Sequence, residues 1–353
     1  MRIPLLLLLV SLAVCSAEPD VESLMINGHW KRARALAGRV IGDKPNDARA
    51  NYWMACVRRQ FKLLEDAEKY AAAAVRLDPQ DSAYHRELAQ VYFDRIETAS
   101  IVSAIGWAKR CRGELDTALK LSPNAPAVLY DQILFYQQVP GMAGGDKRRA
   151  AQLADTLVRL DPARGYLAMA YIARQERQPD RLGGLYQKAV EANPRDYDAQ
   201  IGLGSNQLTG QTPNPKDAEA HALAALALNS DRVDGYRLLA AALVYQKRYG
   251  DVAAALRRAE TAVTDDLSPY VSAARALLRE GAEMPTAETW LQKYLHDSGE
   301  PEPTAPPLAA AHWSLGRVYE KLGRLPDARR ELETAVRLKP DFEPARRDLK
   351  RLK

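Results

Sequence analysis

Five histidines are the first place to look for metal or acid–base chemistry: His29, His85, His221, His296 and His312. They lie far apart, and no two stand at the His-x3-His spacing that puts both imidazoles on one face of a helix. Gly202-x-Gly204 has part of a dinucleotide loop's spacing, but the residues before it do not read as a strand. Gly204 instead falls where a helix needs a small residue against its neighbour. Pro140-Gly141 with Gly144-Gly145 could cradle a phosphate with bare amides ahead of a helix starting near Asp146. No Lys-Ser/Thr ending follows, so these residues read as a longer helix-to-helix turn. Neither a Gly-x-Ser-x-Gly elbow nor a His-Glu-x2-His pair is present. The sequence therefore offers no catalytic, cofactor-binding or metal-ligating residue, and the chain reads as a binding protein and not an enzyme.

What is left to do chemistry is arginine and the aromatics, whose use depends on the elements that present them. The 353 residues are rich in Ala, Leu, Arg, Glu, Lys and Gln, which lose little on entering a helix. Lys and Arg number 50 against 45 Asp and Glu, for a formal charge of +5, and the two signs are interspersed. No block of like charge forms a nucleic-acid tail or a polybasic anchor, so nucleic acid is not expected as a partner.

A fixed period organises the helices. Pro45 and Pro79 are 34 residues apart, as are Ala33 and Ala67. Leu77-Asp78-Pro79, Leu121-Ser122-Pro123, Leu160-Asp161-Pro162 and Ala192-Asn193-Pro194 are equivalent unit endings, and the ending returns at Pro340. The clearest unit runs His312, Leu315-Gly316, Tyr319, Gly323, Ala328, Leu332, Ala335, Pro340. This resembles the tetratricopeptide repeat, with His312 in place of the usual Trp and Leu332 in place of the usual Phe. The resemblance implies an all-α, right-handed superhelical solenoid. About nine helix pairs are expected, closed by a capping helix over Phe342 to Leu352.

The expected organisation is a signal segment 1–17, a repeat array 18–298, a Pro-rich linker 299–308, and a last unit with its cap over 309–353. Two units exceed the period. The extra residues fall at 95–105, in front of a helix expected near Gly106, and at 139–147. The 299–307 stretch is the candidate for bending.

In such a solenoid the first helix of each pair lines a concave groove. The groove positions are Tyr52 and Arg59, then Arg86, Gln90 and Phe93, then Tyr130 and Gln137, then Tyr171 and Arg174. Further along come Arg237, Arg275, Trp313 and Arg317. Arginines and aromatics dominate interface energetics, and arginine suits a carboxylate. The Lys and Asn set by which known members of the repeat family clamp a chain-end carboxylate is absent. The expected function is a non-catalytic scaffold that binds a protein or peptide in the groove.

Residues 140–145 and the ending Leu160 to Gly165 also resemble a group of exported bacterial tetratricopeptide proteins, some associated with TRAP-type solute transporters. That resemblance implies an alternative, a small-ligand or transport-accessory module that docks a periplasmic solute-binding protein. Export is expected from the N-terminus, where Arg2 precedes an apolar run from Ile3 to Val14 and Cys15-Ser16-Ala17 suits cleavage before Glu18. The expected location is the periplasm, with a lipoprotein anchored through Cys15 as the alternative. No later segment is apolar enough to span a membrane. Cys56 and Cys111 remain in the mature chain and read as buried free thiols.

Overall fold

The computed structural model describes residues 20–210 and 212–352, so the expected signal segment and Cys15 lie outside the described residues. The described residues form nineteen α-helices and no strand. They pair in chain order: α1 (Val21–Ile26) with α2 (Trp30–Asp43), α3 (Ala48–Gln60) with α4 (Leu64–Leu77), α5 (Ser82–Thr98) with α6 (Ile101–Leu121). Then come α7 (Pro126–Gln138) with α8 (Lys147–Leu160), α9 (Pro162–Gln175) with α10 (Pro179–Ala192), α11 (Tyr197–Thr209) with α12 (Pro215–Leu228). The last three pairs are α13 (Val233–Tyr245) with α14 (Tyr249–Ala262), α15 (Ser268–Glu280) with α16 (Met284–Asp297), and α17 (Leu308–Lys321) with α18 (Leu325–Leu338). α19 (Glu343–Arg351) closes the array. Each helix packs on its sequence neighbours, and the nine pairs coil into a right-handed superhelix.

The periodic residues explain the pairing. Ala33, Ala67, Ala118, Ala154, Ala189, Ala222 and Ala328 sit on second helices and are completely buried. Methyl side chains along that buried face let two helices approach closely, as ridge-into-groove packing requires. Aspartates end the loops between units: Asp47, Asp81 and Asp196 each accept a backbone N–H from the first turn of the helix that follows. The turn inside most pairs takes a left-handed residue, whereas Ala99 between α5 and α6 is extended. Gly28, Gly281 and Gly323 supply it freely, while Lys62, Arg177 and Lys247 adopt φ of 57–58° despite their side chains.

The two long units are built differently. The insertion at 95–105 is not a loop before a helix at Gly106. It lengthens α5 to Thr98 and starts α6 at Ile101, with Ser100 capping the new helix through the N–H of Ser103. The insertion at 139–147 makes a 3-10 turn, Gly141–Ala143, after which Asp146 accepts from the N–H groups of Arg148 and Arg149 to open α8.

One superhelical turn brings the first unit against the loops that begin the seventh, eighth and ninth. His29, buried at 1% exposure, lies between two carboxylates: Nδ1 is 3.0 Å from Asp265 Oδ1 and Nε2 is 2.9 Å from Asp231 Oδ1. Arg32 Nε donates to the other oxygen of Asp265 at 3.0 Å. Asn27 donates to Asp231 at 2.9 Å and accepts from Asn229 at 2.9 Å. The 299–307 stretch, expected to bend, is pinned in the same seam. Arg34 donates to both oxygens of Glu300, and the Lys31 backbone N–H points at the buried carboxylate of Glu302. Tyr294 Oη donates to the Pro306 carbonyl at 2.5 Å, tying the stretch to α16 as well.

Candidate binding groove

The first helices of the pairs line the concave face, and a cavity of about 860 Å³ on it lies between the third and sixth units. Tyr130 and Tyr171 lie side by side in its wall, with ring centroids 6.5 Å apart and planes tilted by 56°. Leu167, Leu182, Tyr186 and Ile201 complete an apolar floor. Tyr186 comes from a second helix, α10, and reaches the groove because Gly202 has no side chain. A Cβ there would sit 2.7 Å from the Tyr186 ring. Gly204 meets Leu238 in the same way, so this glycine pair serves close packing and not a nucleotide. Polar side chains line it too, among them Asp198, Asn206 and Arg174, which donates to Tyr186 Oη, and from behind the wall Gln138 donates to Tyr171 Oη. Burial first, then the neighbouring phenol of Tyr171, pushes Tyr130 up to about 12, so this ring stays a neutral phenol at physiological pH.

Of the expected groove residues, Arg86, Tyr130, Tyr171 and Arg174 line this one cavity. Arg59, Gln90 and Tyr52 line a smaller one of about 330 Å³ toward the N-terminus, where Arg86 also reaches. There the cations are internally satisfied. Arg59 donates to Glu87 at 2.7 Å and to Gln90 at 2.7 Å, and Arg86 and Gln90 both donate to Asp131, at 2.7 and 3.0 Å. Tyr52 stacks at a tilt on Tyr84, 5.3 Å away. Phe93 stands by a third, very small cavity, and Gln137 is buried.

Arg237 and Arg275 line a cavity of about 320 Å³ toward the C-terminus. Arg237 is held by Asp234 and Asp266, both at 3.1 Å, and by the Thr304 carbonyl. Trp313 does not face an open groove. Its indole N–H donates to Asp348 of α19 at 2.8 Å, Phe342 packs on it edge-to-face, and Arg317 stacks over its ring. The cap thus occupies what the sequence offered as a binding position. Residues 95–105 and 139–147 line none of these cavities.

The histidines at the repeat's Trp position hold glutamates: His85 Nδ1 is 2.6 Å from Glu114 and His312 Nδ1 is 2.6 Å from Glu331. Among the described residues no group of three His, Cys, Asp or Glu could hold a metal ion. Cys56 and Cys111 are buried and unpaired, and burial pushes both thiols up. No described helix is long and apolar enough to cross a membrane.

Models of the tetratricopeptide repeat match residues 21–82 and 309–342. Among solved structures, yeast Tom70 is similar over 94% of this chain and 86% of its own, at 12% identity and a TM-score of 0.51. A thermophilic TPR protein of Thermus thermophilus is similar over 53% of this chain and 95% of its own, at 20% identity and a TM-score of 0.47. No curated protein matches the sequence. With the repeat matched near both ends and helix pairs of the same kind between them, the chain carries tetratricopeptide repeats over residues 21–82 and 309–342 and has the tetratricopeptide fold.

Proposed function

We propose that this protein is a non-catalytic scaffold of the bacterial periplasm that seats a segment of a partner protein in its concave groove. Tetratricopeptide arrays are protein-binding architectures, because stacked pairs leave one long concave surface lined by side chains that packing does not use. The observation that carries the reading is the cavity of about 860 Å³ walled by Tyr130, Tyr171, Tyr186 and Leu182. It falls in the size range of ligand sites, is apolar at its floor, and carries a few polar groups at its edge. Aromatic rings with polar tips are the side chains that anchor interfaces. The cavity forms without either insertion, which supports the groove and not the insertions as the seat. Export rests on the N-terminal residues Arg2 to Ala17, whose charge, apolar run and small-residue ending suit a cleaved signal.

The test is affinity capture from a periplasmic extract with residues 18–353 as bait and a Tyr171→Ala/Arg174→Ala form beside it. A protein retained by the first and lost by the second supports the groove. Equal capture by both overturns it.

A further inference from the structure

The cations of the groove fall into two classes. Toward the N-terminus they are neutralised within the protein: Arg59 by Glu87 and Arg86 by Asp131. The pattern breaks at Arg174 in the tyrosine cavity, whose partner is the neutral Tyr186 hydroxyl, and again toward the C-terminus. Arg275 donates from Nε to Ser314 Oγ at 3.1 Å and from Nη2 to the Ala310 carbonyl at 3.3 Å, both neutral acceptors. Arg279, one helical turn on, donates to Tyr245 Oη at 3.2 Å. Among the described residues neither has a carboxylate within ion-pair distance, although Arg237 in the same cavity has two. Burial, and then the charge of Arg279, draws the Arg275 guanidinium below its ordinary value, the signature of a cation held without its counter-charge. An arginine half-buried in that state is costly to keep for packing alone.

The two cavities are one surface. Ile201, Ser205 and Thr209 line both the apolar cavity and the one holding Arg275 and Arg279. From the first unit to the eighth the groove therefore runs from internally paired charge, through an aromatic cavity that also holds Arg174, to the two arginines without a carboxylate.

We propose that the α13–α15 end of the groove is a second subsite that takes the carboxylates of an acidic segment. The partner of the proposed scaffold then carries a bulky apolar residue for the tyrosine cavity, followed along the chain by Asp or Glu side chains for Arg275 and Arg279. This rests on the groove reading and adds to it a chemical class of partner. Two guanidiniums one turn apart can each grip a carboxylate through paired N–H groups. The hydroxyls of Ser205 and Ser272 at the same cavity supply neutral donors, while that of Thr209 is spent on the Ser205 carbonyl at 3.0 Å.

The probes are two fluorescein-labelled synthetic peptides with a phenylalanine followed by a run of glutamates, or of glutamines in the second. The readout is fluorescence anisotropy with the mature chain. The glutamate peptide is expected to bind at least about tenfold more tightly at low ionic strength, a margin shrinking as salt is added. Arg275→Ala/Arg279→Ala removes the margin, and Arg275→Lys/Arg279→Lys, which keeps the charge, retains part of it. Tyr171→Ala weakens both peptides. Equal affinities, no binding of either peptide, or a margin that survives the double alanine form overturns the acidic subsite. Equal affinities that still depend on Tyr171 leave the groove standing, whereas tight binding indifferent to Tyr171 overturns the groove itself.

Discussion

Replacing His29 with glutamine should loosen the seam between the first unit and the last three, and do so more in mild acid than in base. Each imidazole nitrogen faces a carboxylate oxygen, at 3.0 and 2.9 Å, so both must donate and the ring must be the imidazolium. Burial pulls the His29 pKa down, but the hydrogen bond and charge of Asp265 and the bond to Asp231 outweigh burial and the opposing charge of Arg32, and the net shift is upward. A histidine raised in the folded state contributes stability that is complete below its unfolded value near 6.5 and is lost as pH climbs through the folded value. Glu302, pushed up to about 7 chiefly by burial and further by Asp265 and Asp266, acts in the same direction, its contribution draining away between its ordinary 4.5 and 7. Asp265 has the opposite sign, since its depressed pKa makes its contribution fail only in strong acid. The seam is therefore firmest near pH 4, above the acid failure of Asp265 and below the 4.5 at which Glu302 begins to cost stability, and it weakens further once His29 loses its proton.

The bond to Asp265, which is 13% exposed, is of the charge-assisted kind worth about 1.5–3 kcal/mol. The bond to Asp231, 46% exposed, is screened and adds at most about 1 kcal/mol. His29→Gln should thus lower the opening free energy of α1–α2 by about 2–3 kcal/mol at pH 5.5, or roughly 30- to 150-fold in the amide protection factor. At pH 8.5 the gap between the two proteins should be smaller, because the contribution is lost as pH climbs through the raised folded value. Hydrogen exchange by mass spectrometry on α1–α2 peptides measures both. A gap that is the same at the two pH values, or that widens in base, would refute the reasoning.

Lys247→Gly should raise stability by up to about 1 kcal/mol, because Lys247 holds φ 58° where Gly323 sits in an equivalent turn, and chemical denaturation reports it. Leu332→Ala, at a completely buried side chain between α17 and α18, should cost about 2–5 kcal/mol by the same measurement. Cys56 and Cys111 should ignore a thiol reagent such as dithionitrobenzoate until the chain unfolds, and rapid modification of the native protein would contradict their burial.

Much of this was legible in residue spacing. The 34-residue recurrence of Ala33 with Ala67 and of Pro45 with Pro79, and the run from Leu315 to Pro340, expose the helix pairs because each unit repeats the same local packing. Arg86, Tyr130, Tyr171 and Arg174 converge on one cavity because that packing turns equivalent positions toward the same side. Sequence could not show which of those arginines are already engaged, since Arg59 and Arg86 find their carboxylates in the next unit, 28 and 45 residues on. Tyr186 was missed because it belongs to a second helix and reaches the groove only past Gly202. Arg279 carried no positional flag, and Trp313 carried a misleading one. The helical extension at 95–105 had a signal, the cap Ser100, which puts the helix start at Ile101 and not near Gly106. The seam at His29 had none, because Asp231 and Asp265 are 202 and 236 residues away.

That seam makes the array a counted one. An open solenoid can gain or lose a unit by duplication or deletion, since every contact is with a neighbour and the new copy restores it. Here the first unit is complementary to particular loops one superhelical turn later, so copy number between α3 and α12 is fixed by the geometry of closure. One extra unit of about 34 residues would carry Asp231 and Asp265 a step past His29, and Glu300 past Arg34, leaving a buried imidazole facing strangers. The chain has thereby exchanged the ordinary evolutionary freedom of repeat proteins for a groove of set length, in which the tyrosine cavity and the arginine pair stay at a constant separation.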